Sequence, residues 1–286
     1  MLEASNWPLE WPLAAIVVAA ALYCLGGRAS VTPPDAAKRG RGACFYLGLV
    51  TLALAIDSPI DAYATTLFWV HMVQHVLLMM VAPPLLLLGK PWPRIVRPFP
   101  ISVRRPVARA VLAGDPLSPV RAVAQWIGSP WPSFALFNGM LLLWHLPALY
   151  DLTLEDGPVH DLEHALFFTT AILFWRHLLP SPRPQLTEVG RIAYGTAAVL
   201  VSWALAVVLG LAPHAVYSGY ADLTSRPGSL SALADQQIAA GVMWVPGSIP
   251  LTIALLYAVA RWLGPAEPNR AARRLRPSED LRPREI

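Results

Sequence analysis

Charge and cysteine are what this sequence has least of. Only 14% of its 286 residues are charged and two are cysteines, against 55% hydrophobic residues and a mean hydropathy of +0.47. A chain this apolar falls outside the ordinary soluble class and reads as an integral membrane protein. Two distant cysteines leave no C-x-x-C and no C-x-x-C-H. No Gly-rich phosphate loop and no repeat of fixed period is present. Residues 265–286 hold too few apolar side chains to pack and are expected to be disordered.

What the chain does have is long apolar runs. Seven can be drawn, at 11–27, 42–57, 65–89, 131–146, 159–178, 190–211 and 236–263. Most approach the roughly 20 residues that cross a hydrocarbon core, and helices close their backbone hydrogen bonds within each run. The expected fold is all-α: a polytopic bundle of seven transmembrane helices over 1–264, followed by the tail. The first run has no basic flank or cleavage signature, and Glu3 and Glu10 precede it, so it reads as a retained helix.

Basic residues are nearly absent from one side of this arrangement. Of 22 Lys and Arg, 21 fall in the connections after the first, third and fifth runs, around those runs' ends, and in the tail. Arg226 alone lies opposite, where Asp57, Asp61, Asp151, Glu155, Asp156 and Asp222 gather. The positive-inside rule makes the basic side cytoplasmic, the N-terminus outside and the C-terminus inside. The high pI then reflects Arg-rich loops beside anionic lipid headgroups, not a nucleic-acid partner. Trp11, Trp69 and Trp144 near outer ends and Trp92, Trp131, Trp175 and Trp262 near inner ends fit interfacial belts. Cys24 and Cys44, near inner ends, read as packing thiols. In the cytoplasmic connection of about 90–129, the stretches 101–114 and 118–128 mix Arg with aliphatics, as short amphipathic helices on a membrane surface do.

Six of the seven histidines fall at the outer level. His71/His75 and His160/His164 are spaced four apart, so each pair presents two imidazoles in one direction. His145 ends the fourth run, His214 follows the sixth, and Asp235 opens the seventh. His177 is inner and interfacial. Ionisable residues inside spans mark function by default, and six imidazoles at one depth point to a metal or haem site. Asp235 is either a partner to a ligating histidine or the N-cap of its own helix. Met79 continues the His71/His75 stripe, Met243 follows Asp235 two turns on, and Met140 lies deeper than His145. Soft thioether beside imidazole favours copper over zinc or iron, although Met also fills gaps between helices. Pro83, Pro84, Pro246 and Pro250 sit within spans, where neighbouring helices tolerate them.

Rival chemistry falls on the same residues. HDLEH (160–164) matches H-x-x-E-H, in which two histidines hold zinc and Glu163 activates water. Two histidines on different helices are also the axial pair of a haem. A copper permease is disfavoured because no chain of His and Met continues into the inner half. A metal-free assembly scaffold is the remaining alternative.

The blocks DSPIDAYA (57–64), HMVQHVLLMMVAPPLLLLGKPW (71–92), WHLPALYD (144–151), VHDLEHALFF (159–168), LAPHAVYSGYA (211–221) and DQQIAAGVMWVPGSIP (235–250) occur in one order. In this the chain resembles the CtaG-like cytochrome c oxidase assembly factors, the polytopic branch associated with caa-type oxidases in bacteria. The single-span copper-delivery proteins that share the name are distinct. The resemblance implies a non-enzymatic helper in the bacterial cytoplasmic membrane that handles copper for the oxidase. It also implies oxidase subunits and a copper donor protein as partners. His71, His75, His160 and His164 match the family's paired histidines, and His145, His214 and Asp235 its other outer polar positions. Copper would be held from the external side by neutral imidazoles, with affinity falling below about pH 6.5.

Overall fold

The computed structural model describes residues 11–29, 35–223 and 225–264. The expected disordered tail, Glu3 and Glu10 lie outside them. Among the described residues there are helices and connections and no strand. The helices run in order as α1 (Trp11–Arg28), α2 (Ala36–Ile56), α3 (Pro59–Ala64), α4 (Phe68–Val76), α5 (Ala82–Leu88), α6 (Trp92–Ile95), α7 (Ile101–Ala113) and α8 (Ser118–Ile127). They continue as α9 (Pro130–Trp144), α10 (Pro147–Glu155), α11 (Gly157–Leu178), α12 (Glu188–Gly210), α13 (Ser218–Ala221), α14 (Ala232–Trp244) and α15 (Ile249–Leu263).

All seven apolar runs are helical, but they are not seven equivalent spans. Four stretches are long and apolar enough to cross a membrane: Ala36–Ala64, Phe68–Leu88, Glu188–Gly210 and Ala232–Leu263. The pair α9 and α10 makes a fifth, bent by 75°. The bend has a local cause, because the chain leaves the helix at His145 and Pro147 opens the next one. α1 is a shorter apolar helix. α11 has 22 residues, but its first turns carry His160, Asp161, Glu163 and His164 and so lack the apolar character of the others. Large apolar side chains such as Val18, Leu200, Val208, Ile253 and Leu256 are exposed on the outside of the bundle, as lipid-facing residues are.

The third run is broken by design of its sequence. Between α4 and α5, residues Leu77–Val81 form a π turn. Pro83 has no N–H to give the carbonyl of Met79, four residues back. The Trp175 indole donates to that carbonyl instead, at 2.8 Å. Trp175 is therefore buried in the core rather than placed in an interfacial belt, unlike the exposed Trp92, Trp131 and Trp262. His177, expected at the interface, is also buried, with its ring 6.0 Å from that of Tyr194. The seventh run breaks similarly, at a 3-10 turn over Pro246–Ser248 between α14 and α15.

The main core joins α4, the π turn, α9, α11, α12 and α14, with Phe137 stacked on Phe174 and Phe174 on Tyr194. A smaller cluster of Tyr23, Phe45, Leu49 and Leu86 attaches α1 and α2 to α5. There α1 meets α6 so closely that a Cβ on Gly26 would sit 1.8 Å from the Arg94 carbonyl oxygen. Only glycine permits that approach. The helices α7 and α8 form where the Arg-aliphatic stretches are, and neither buries a residue.

Candidate metal centre

The His71/His75 pair is positioned by the start of α4, and that start depends on Asp235. Phe68 and Trp69 N–H groups donate to Asp235 Oδ2 and Oδ1, both at 2.9 Å. The carboxylate thus caps a helix 166 residues away in sequence, where free N–H groups and the helix dipole favour a negative charge. Its own helix, α14, is capped by Ser231 instead. Both roles read from sequence for Asp235, histidine partner and self-cap, give way to this one. Asp235 is fully buried with each oxygen taken by a backbone N–H.

α4 then turns His71 and His75 toward α11, where Asp156 caps the first turn through Val159 N–H. One ligand atom from each of His71, His75, Glu163 and His164 lies within 4.8 Å of the others. His71 Nε2 is 2.8 Å from His75 Nε2, and the Glu163 oxygens are 3.9 Å from the first and 3.7 Å from the second. Four tetrahedral ligands around one ion at ordinary bond lengths stand about 3.4 Å apart, so these spacings straddle the value an ion would set. All four residues are buried.

The tautomer of His71 is fixed from behind. Tyr220, in the short α13 between α12 and α14, gives its hydroxyl proton to the Ala64 carbonyl. It therefore accepts from His71 Nδ1–H, at 2.9 Å. That leaves the His71 Nε2 lone pair facing the cluster, the arrangement a ligating imidazole uses. Burial pushes the Tyr220 phenol well above its ordinary range, so it keeps its proton. Aromatic packing holds it: Phe68 stacks on Tyr220 and Tyr150 on Tyr217, whose hydroxyl donates to the His145 carbonyl at 3.1 Å. Asp151 anchors the same segment by accepting from Ser218 and from Gly219 N–H. A Cβ on Gly219 would come within 2.6 Å of the Leu154 Cδ1 methyl, so a larger residue there would require that side chain to move.

The remaining histidines divide. His145 is buried, donates from Nδ1 to the Leu141 carbonyl at 2.7 Å, and has its ring 6.4 Å from that of His75. The His160 ring is half-buried, 5.2 Å from His71 and 4.0 Å from His164, at the edge of the cluster. His214 is exposed; what it brings to the protein interior is its backbone carbonyl, a distant acceptor for Gln236 at 3.5 Å. Met79 is buried beside His75 in a neighbouring cavity and not among the four clustered ligands.

The fit of a cation can be judged from polar atoms left unmatched. His75 Nδ1, His145 Nε2, His160 Nε2, His164 Nε2 and both Glu163 oxygens are buried without a hydrogen-bond partner. The nearby Thr153 hydroxyl donates to the Tyr150 carbonyl instead. Each such atom costs about 1–3 kcal/mol, and native proteins rarely gather so many without reason. Three imidazoles and a carboxylate form a donor set for zinc or copper. Sequence reasoning assigned Glu163 only to water activation, and it missed Tyr150, Tyr217 and Tyr220. All four lie inside the ordered blocks WHLPALYD, VHDLEHALFF and LAPHAVYSGYA, which was the available signal.

Similarity to known proteins places the chain. An uncharacterized protein of Mycobacterium bovis is 26% identical over 254 residues, covering 87% of this chain and 38% of its own length. One of Mycobacterium leprae is 25% identical over 228 residues, covering 78% and 34%. The chain thus spans well under half the length of these curated relatives. No solved structure matches. The model of the cytochrome c oxidase caa3 assembly factor family (Caa3_CtaG) matches residues 21–264, most of the chain, and the chain belongs to that family.

Proposed function

We propose that this assembly factor binds copper at the His71, His75, Glu163 and His164 cluster and supplies it to an oxidase subunit without catalysing a reaction. His160 and His145 flank the site, His160 on the exposed side. The single observation that carries this reading is the convergence of three imidazoles and a carboxylate within 4.8 Å of one another, with His164 Nε2 and both Glu163 oxygens claimed by no hydrogen bond. In the accompanying topology the chain crosses a bacterial cytoplasmic membrane seven times, with α1 and the polar α11 as the less apolar crossings. The basic loops are cytoplasmic and the cluster lies beneath the external surface. Oxidase subunits, and a protein that donates copper, dock on that side.

A carboxylate among imidazoles suits a divalent ion, so zinc is the second reading. It is separated from copper by which metal co-purifies. Function is tested in cells whose only copy carries His71→Ala/His75→Ala. Loss of active oxidase with normal amounts of this protein in the membrane is expected. Full oxidase activity would make the protein a metal-free scaffold.

A further inference from the structure

Beside the imidazole cluster lies a small space of different chemistry. Met72, Met79 and Met80 from α4 and the π turn, Met243 from α14 and Ser202 from α12 line it, and His75 forms part of its wall. Four of the six methionines in the chain thus meet at one point, each at most 6% exposed. The volume is about 30 Å³, enough for a water molecule or a single ion and too small for an organic ligand. Met79 and Met80, adjacent in the π turn, both line this space. His75 Nδ1 is the buried nitrogen on this residue that no hydrogen bond claims.

We infer that this cavity is a second metal site, specific for a soft monovalent cation, Cu(I), held by thioethers and by His75 Nδ1. Thioethers select Cu(I) over divalent ions, whereas the Glu163 cluster offers nitrogen and oxygen. The inference goes beyond the proposed function and shares only His75 with it. A neutral imidazole has one lone pair, so His75 serves one site at a time. The competing role for these side chains is gap filling, and exchange of Met for Leu, which conserves volume, separates the two.

The test uses Ag(I), a redox-inert soft monovalent probe, titrated into the detergent-purified chain and its Met variants with Cys24→Ser/Cys44→Ser in every one, because free thiols would otherwise take the probe, and X-ray absorption at the silver edge identifies neighbouring atoms. Wild type is expected to bind Ag(I) with sulfur neighbours. Met72→Leu/Met79→Leu/Met80→Leu/Met243→Leu should lose them and weaken Ag(I) by at least about 100-fold, the upper end of what losing even an indirect partner costs. Met243→Leu alone, the milder change, should show fewer sulfur neighbours. His71→Ala/His164→Ala should keep the sulfur shell. Sulfur-bound Ag(I) in a protein that takes up no copper at the Glu163 cluster would support this site while refuting the proposed function. Absence of sulfur neighbours in wild type, or an unchanged shell and affinity in the Met variants, would overturn it.

Discussion

Two regions of this molecule reverse the usual placement of polar and apolar groups, in opposite senses. Between α4 and α11, imidazole nitrogens and carboxylate oxygens are buried with no hydrogen-bond partner. On α7 and α8, Ile101, Val107, Leu112, Val120, Val123 and Trp126 are all more than half exposed, among Arg104, Arg105, Arg109 and Arg121. Each arrangement is unfavourable in a protein surrounded only by itself and water. The proposed function gives the first a cation to meet, and the expected cytoplasmic placement gives the second an acidic lipid surface that takes apolar and cationic side chains together. On that reading the sign of each mismatch names the surroundings that would relieve it.

The comparison breaks most sharply at Glu163. Replacing it by Gln removes the one carboxyl group in the cluster at nearly constant shape, and metal affinity should fall by at least about 100-fold in a titration of purified protein. Unaltered affinity would remove the carboxylate from the ligand set. Asp235→Ala comes next and acts on stability, because Phe68 and Trp69 N–H lose their acceptor in a buried place. Its cost should be about 2–4 kcal/mol in denaturant unfolding in detergent. Tyr220→Phe should weaken metal by roughly 10–100-fold, since His71 Nδ1–H then has no acceptor and the ring loses its orientation. In the second region, Trp126→Ser should change unfolding by less than about 0.5 kcal/mol. A polarity-sensitive label at Val123→Cys should nevertheless report apolar surroundings in anionic vesicles.

The sequence carried the histidine site to a large extent because its signal is local. Spacing of four on a helix brings His71 with His75, and His160 with His164, whatever the rest of the chain does. Helical runs were equally readable, since about 20 apolar residues leave the backbone no other solution in lipid. The role of Asp235 was not readable, because it caps a helix from another part of the chain and its own helix already has Ser231. Nor was the Tyr220 contact to His71, which joins residues 149 apart. Trp175 looked interfacial by its position near a helix end. It is buried because Pro83 frees a carbonyl that needs a donor, a demand visible only once the two helices are adjacent.

Copper content tests the central claim most directly. Detergent-purified wild type, loaded with copper and freed of excess, is compared by elemental analysis with the His71→Ala/His75→Ala protein at matched folding. Stoichiometric copper is expected in wild type, and its loss from the cluster in the variant. Equal copper in both, or none in either, would contradict it.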